Sequence, residues 1–129
     1  MEGASRKEPF RYVMNQPIEC WIEVPASNSG PGAGKLTEGV LLDLSRSGCK
    51  VRSSLNLRFS SGDTKLLIHF QLNEVKLKLE GSVRWGWMYG LGQFQYGVRL
   101  DLEDEEEELL LNEIETWTIA QHSSHQLPK

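Results

Sequence analysis

The segment Asp43-Leu44-Ser45-Arg46-Ser47-Gly48 sets a carboxylate and a hydroxyl two residues apart, so in extended backbone both side chains point to the same side. A carboxylate accepts two hydrogen bonds from the N–H edge of guanine, a hydroxyl donates to phosphate, and Gly48 frees the chain to turn sharply. The group is chemically complementary to a guanine nucleotide; it also makes an ordinary tight connection. A second cluster, Arg6-Lys7-Glu8-Pro9-Phe10-Arg11, gathers three cations within six residues. Arginine's planar fork bonds phosphate or the acceptor edge of guanine bidentately, and its face stacks on a base. Pro9 disfavours helix around it, so the segment reads either as a mobile basic arm able to close over a nucleotide or as a solvated charge cluster.

Other chemistry finds little footing. Ser29-Gly30-Pro31-Gly32-Ala33-Gly34-Lys35-Leu36 imitates a phosphate-binding loop, but Ser29 stands where the first glycine belongs and Leu36 where a magnesium-binding hydroxyl belongs, and a strand rather than a helix follows. The segment is expected to be a flexible connection. His69 falls on the polar face of a strand, and His122 and His125 fall near the C-terminus, so no metal site is expected. No serine elbow or cysteine–histidine pair is present, and neither catalytic residues nor enzyme activity are expected. Cys20 and Cys49 each sit inside an apolar run and read as buried thiols of a reducing compartment.

These residues need a scaffold, and period-2 alternation supplies one. Val75, Leu77, Leu79, Gly81, Val83, Trp85 and Trp87 alternate with polar residues along one long strand, in which Gly81 marks a bend or a close backbone approach. Ile18-Cys20-Ile22-Val24, Val40-Leu42-Leu44, Cys49-Val51, Leu66-Ile68-Phe70-Leu72 and Phe94-Tyr96-Val98-Leu100 give five more rows. Six strands joined by short turns predict a mainly β protein, an antiparallel sheet closed into a barrel or curled into a sandwich. Residues 103–121 change to helical spacing, with Leu110, Ile114, Trp117 and Gln121 on one stripe and Leu111 and Thr118 beside it. The acidic run Glu105 to Glu108 suits the positive end of that helix. The expected organisation is an arm over 1–12, a barrel with its helix over 13–121 and a tail over 122–129.

In order and separation, the two clusters resemble the PilZ domain family, bacterial receptor modules for cyclic di-GMP. The family carries R-x-x-x-R in an N-terminal arm and [D/N]-x-S-x-x-G further on. Here Lys7-Glu8-Pro9-Phe10-Arg11 stands at the first motif, with Arg6 just before it, and residues 43–48 match the second completely. Gly81-Ser82-Val83-Arg84-Trp85 and Tyr96-Gly97-Val98-Arg99-Leu100 look like the family's later strands. The resemblance implies a six-stranded antiparallel barrel with a C-terminal helix and a ligand, cyclic di-GMP, with no other cofactor. It implies that Arg6, Lys7 and Arg11 reach guanine edges and phosphates, that Asp43 takes a guanine N–H edge, that Ser45 bonds phosphate and that Gly48 admits the ligand to the backbone. Trp85 then lies beside a guanine, or in the core if strand phase decides. Lys7 departs from the family's arginine, and unless Arg6 takes its place by a one-residue slip, affinity should fall by about two decades. The implied outputs are motility, exopolysaccharide or biofilm control through a protein partner; a variant deaf to nucleotide would serve as a protein adaptor.

Charge and hydropathy narrow the classes further. The 129 residues carry 14 Lys+Arg against 18 Asp+Glu, a net charge of -4, which opposes a broad DNA or RNA coat. No window approaches the about 20 apolar residues of a bilayer span, and no apolar run follows the basic pair near the N-terminus. A cytoplasmic protein without membrane insertion is expected.

Overall fold

The alternating rows fold into six strands followed by one helix. A computed structural model describes residues 12–25, 34–57 and 64–126; the basic residues Arg6, Lys7 and Arg11 and the stretch 26–33 lie outside the described residues. The strands are β1 (Tyr12–Glu23), β2 (Leu36–Leu44), β3 (Gly48–Ser53), β4 (Lys65–Gln71), β5 (Lys76–Gly90) and β6 (Gln93–Leu100), and the helix is α1 (Asp104–Gln126). Every neighbouring pair is antiparallel, in the order β1-β2-β3-β6-β5-β4, and β1 pairs with β4 to close the barrel. Closure satisfies the hydrogen-bonding rim that an open sheet exposes. The expected mainly β class, a closed barrel with a C-terminal helix, is the observed one.

Inward positions of all six strands form one core, with Cys20, Ile22, Leu41, Val51, Leu66, Ile68 and Val83 fully enclosed. The glycine within the β5 row is a close approach: a Cβ on Gly81 would sit 2.5 Å from Val98 Cγ1 and 2.7 Å from the Arg99 carbonyl oxygen. Cys20 and Cys49 are buried and form no disulfide. Burial, aided by the charge of Glu19, pushes the Cys20 thiol up to about 12, which starves it of the reactive thiolate. Neither cysteine should react with Ellman's reagent in native buffer, and both should react on unfolding in urea; fast labelling of the native chain would mean that the barrel opens.

The helix plugs the barrel through Leu110 and Ile114, both buried, and through Trp117, whose ring meets Tyr12 edge-on at 5.2 Å. Enclosing a leucine of this kind contributes about 1.5–3 kcal/mol. Its start is capped by the Glu106 carboxylate, which accepts from the Glu103 N–H at 2.9 Å. Two polar clamps fix its position. Asn73 Nδ2, between β4 and β5, donates to the Glu113 carbonyl at 3.0 Å, and Arg46 Nη1, between β2 and β3, donates to Glu107 Oε2 at 3.3 Å. One stripe member, Gln121, is exposed, as is Leu111 beside the stripe. The helix also runs to Gln126, beyond the 121 where the hydrophobic spacing stops.

Candidate functional site

The turn from β2 to β3 is built by its own serine. The Ser45 N–H donates to the Gly48 carbonyl at 2.8 Å, and the Ser45 hydroxyl donates to the same oxygen at 3.3 Å while accepting from the Ser47 N–H at 3.3 Å. Ser45 is thereby buried under the turn. Extended backbone would have set its side chain beside that of Asp43; instead the hydroxyl folds inward to clasp the backbone, and Ser47 faces the surface cleft. The Leu100 N–H donates to the Ser47 carbonyl at 2.9 Å, which ties the turn to the end of β6.

Two bulges aim the remaining residues. In β2, Leu41 pairs with Val51 and Asp43 with Lys50, so Leu42 is an extra residue. An extra residue flips the phase of everything beyond it. The expected row Val40-Leu42-Leu44 is therefore corrected: Leu41 and Leu44 enter the core, Val40 and Leu42 are half-buried, and Asp43 turns outward. In β5, Val83 pairs with Val98 and Trp85 with Gly97, which makes Arg84 the extra residue. Trp85 thus leaves the apolar face to which simple alternation assigned it and lies outside the barrel, half-buried.

Together the bulges create a single cross-strand row. Asp43 on β2 stands opposite Lys50 on β3, Lys50 opposite Gly97 on β6, and Gly97 opposite Trp85 on β5. Gly97 is obligatory there, because a Cβ would lie 2.1 Å from the Trp85 ring. The indole fills the space a side chain would take, and its other neighbour is Trp87, stacked at 4.6 Å between centroids with planes 19° apart. Above this row opens a cleft of ≈ 410 Å³ lined by Asp43, Ser47, Gly48, Lys50, Arg84, Trp85, Gly97 and Arg99, among others. That volume lies within the range of about 300–1,000 Å³ usual for small-molecule sites.

Asp43 is buried at the edge of this cleft, its Oδ2 3.7 Å from Lys50 Nζ. Of the other charged lining residues, Lys50, Arg84 and Arg99 are all cations, Arg99 sharing Asp101 at 3.6 Å. On a chain with net charge -4 this is a local basic cleft. It offers one buried acceptor, three cationic donors and one aromatic face. A planar heterocycle bearing an N–H edge and linked to phosphate satisfies each of these. Among the described residues no group of three or more His, Cys, Asp or Glu could hold a metal ion.

The structure brings together Asp43, Gly48 and Trp85 of the residues singled out from sequence, sets Ser45 beneath them, and leaves Arg6, Lys7 and Arg11 outside what it describes. Lys50, Arg84, Arg99 and Ser47 join the site without having stood out in the sequence. Arg84 and Arg99 do lie on the outward phase of their strands, yet only the strand register reveals that they converge.

Comparison with known proteins agrees with this fold. The PilZ domain model matches residues 5–116. A search of curated proteins finds no match. Among solved structures, the PilZ domain of YcgR from Escherichia coli, solved with c-di-GMP, is similar with a TM-score of 0.64 at 15% identity, covering 95% of this chain and 99% of that one. MrkH from K. pneumonia in its apo state matches with a TM-score of 0.66 at 15% identity, covering 92% of this chain and 55% of that chain. The Bacillus subtilis inhibitor of motility, MotI/DgrA, matches with a TM-score of 0.58 at 13% identity, covering 94% and 54% respectively. This chain therefore spans about half the length of MrkH and MotI/DgrA. The barrel, its closing helix, the turn at 43–48 and the family match over residues 5–116 converge: the chain belongs to the PilZ domain family.

Proposed function

We propose that the protein is a non-catalytic, cytoplasmic receptor for cyclic di-GMP, which it holds in the cleft between the 43–48 turn and Trp85. The observation that carries this is the cross-strand row, which sets a buried carboxylate and an indole at the two ends of a cleft whose other charged groups are cations. Asp43 accepts the N–H edge of one guanine, Trp85 offers a stacking face, and Lys50, Arg84 and Arg99 neutralise phosphate. Gly48 lines the cleft without a side chain to fill it. Ser45 serves by holding the turn, and Ser47 is the hydroxyl better placed for phosphate.

Arg6, Lys7 and Arg11 complete the site from the arm. The register of β1 favours this, because Tyr12 stands opposite Leu44 and Val13 opposite Asp43, so the strand begins beside the motif. Ligand contacts made only by a closed arm shift the population towards that state and alter the surface offered to a protein partner. Motility, exopolysaccharide or biofilm output is the downstream role in keeping with the family.

A calorimetric titration with cyclic di-GMP, beside GTP and linear di-GMP, tests the receptor. Selective binding at micromolar strength or better, lost in Arg11→Ala, is the expected result. A folded protein that gives no heat would overturn it in favour of the adaptor role and would assign the loss to Lys7 in the arm.

A further inference from the structure

The far end of the β5–β6 hairpin carries apolar side chains that stay out of the core. Among the described residues β4 accompanies β5 only to Ser82, so β5 is an edge strand from Val83 on, while β3 accompanies β6 as far as Phe94, the partner of Met88, and only Tyr89 to Gln93 reach past β3. Trp87 and Met88 are adjacent and face opposite sides of the sheet, yet they are 55% and 67% exposed. Tyr89 is 54% exposed, and Leu91, in the two-residue turn, is fully exposed. Apolar groups of this size gathered at one tip mark a contact surface. A flat protein partner would cover one side of the hairpin end; here both sides carry exposed apolar side chains, which suits a medium that surrounds the tip.

Charge points to the same medium. Between Glu80 and Asp101 the chain has no acidic residue, while it carries Arg84 and Arg99. The Arg52 guanidinium lies 3.8 Å over the Tyr89 ring, a cation directly behind the apolar tip. Tryptophan and tyrosine settle at headgroup depth in bilayers, aliphatic side chains sink past them, and arginine meets lipid phosphate. We propose that the β5–β6 hairpin docks the protein peripherally on an anionic bilayer, with Met88 and Leu91 in the acyl boundary, Trp87 and Tyr89 among the headgroups, and Arg52 against phosphates. No span is involved, since no described helix is long and apolar enough to cross a membrane.

Sedimentation of the full chain with vesicles of equimolar phosphatidylglycerol and phosphatidylcholine, against phosphatidylcholine alone, is the test, read together with tryptophan emission. Binding to the anionic vesicles with a blue shift is expected, weakened by salt, and reduced about tenfold or more in Leu91→Glu and in Met88→Glu. Both variants should keep the parent's urea midpoint, because neither side chain belongs to the core. Failure of the parent chain to sediment with anionic vesicles would overturn the docking, as would equal binding by the variants. A concentration-dependent dimer that both variants dissociate would also overturn it, assigning the hairpin to a second copy of the chain.

Discussion

Asp43→Ala is expected to lower the affinity for cyclic di-GMP by about two decades while leaving the barrel folded. A carboxylate facing a guanine N–H edge makes two charge-assisted hydrogen bonds, and losing them costs about 3 kcal/mol at roughly 1.4 kcal/mol per decade. The barrel should survive because Asp43 turns away from the core and Lys50, its partner at 3.7 Å, has solvent to retreat to. Asp43→Asn keeps the shape but replaces one acceptor by a donor, so it should fall between the parent and alanine. Calorimetric titrations of the three proteins, each with a urea midpoint as a folding control, decide the matter. Equal affinity in all three would remove Asp43 from the site and with it the proposed orientation of the ligand.

Gly81→Val should have the largest effect on stability. The added Cβ would meet Val98 Cγ1 at 2.5 Å and the Arg99 carbonyl at 2.7 Å, and the second of these is backbone that the β5–β6 ladder holds in place. Overpacking of this kind costs about 3 kcal/mol, the upper end of the usual range, because no flexible side chain can absorb it. Gly90→Val is the matched control, since nothing lies within 4 Å of its Cβ position. Urea melts should show a much lower midpoint for Gly81→Val and nearly the parent midpoint for Gly90→Val. Coincident midpoints would mean that β5 and β6 can part at Gly81 without cost.

The two substitutions mark what the sequence did and did not reveal. Gly81 was legible because a glycine that keeps phase within an alternating row has few explanations other than a close approach. The six rows and the amphipathic stripe of Leu110, Ile114 and Trp117 were legible for the same reason: burial of one face imposes a period that survives in a single sequence. Trp85 and Leu42 were not, because each lies at or just beyond an inserted residue, and a bulge reverses the facing of the residues beyond it without any mark in composition. Ser45 was read as extended chain, whereas the tight turn sets its hydroxyl against the Gly48 carbonyl and the Ser47 N–H. Lys50, Arg84 and Arg99 lie 15 to 49 residues apart along the chain, and antiparallel register alone unites them.

The stacked pair Trp85 and Trp87 has an optical consequence. Two indoles 4.6 Å apart and nearly parallel share their excited states, so their ultraviolet circular dichroism is a coupled band whose sign and size depend on the twist between the rings. One ring lines the cleft and the other sits on the exposed end of β5. The protein therefore carries its own unlabelled chromophore at the junction of the two surfaces, and a small rotation of either ring becomes a change in that band.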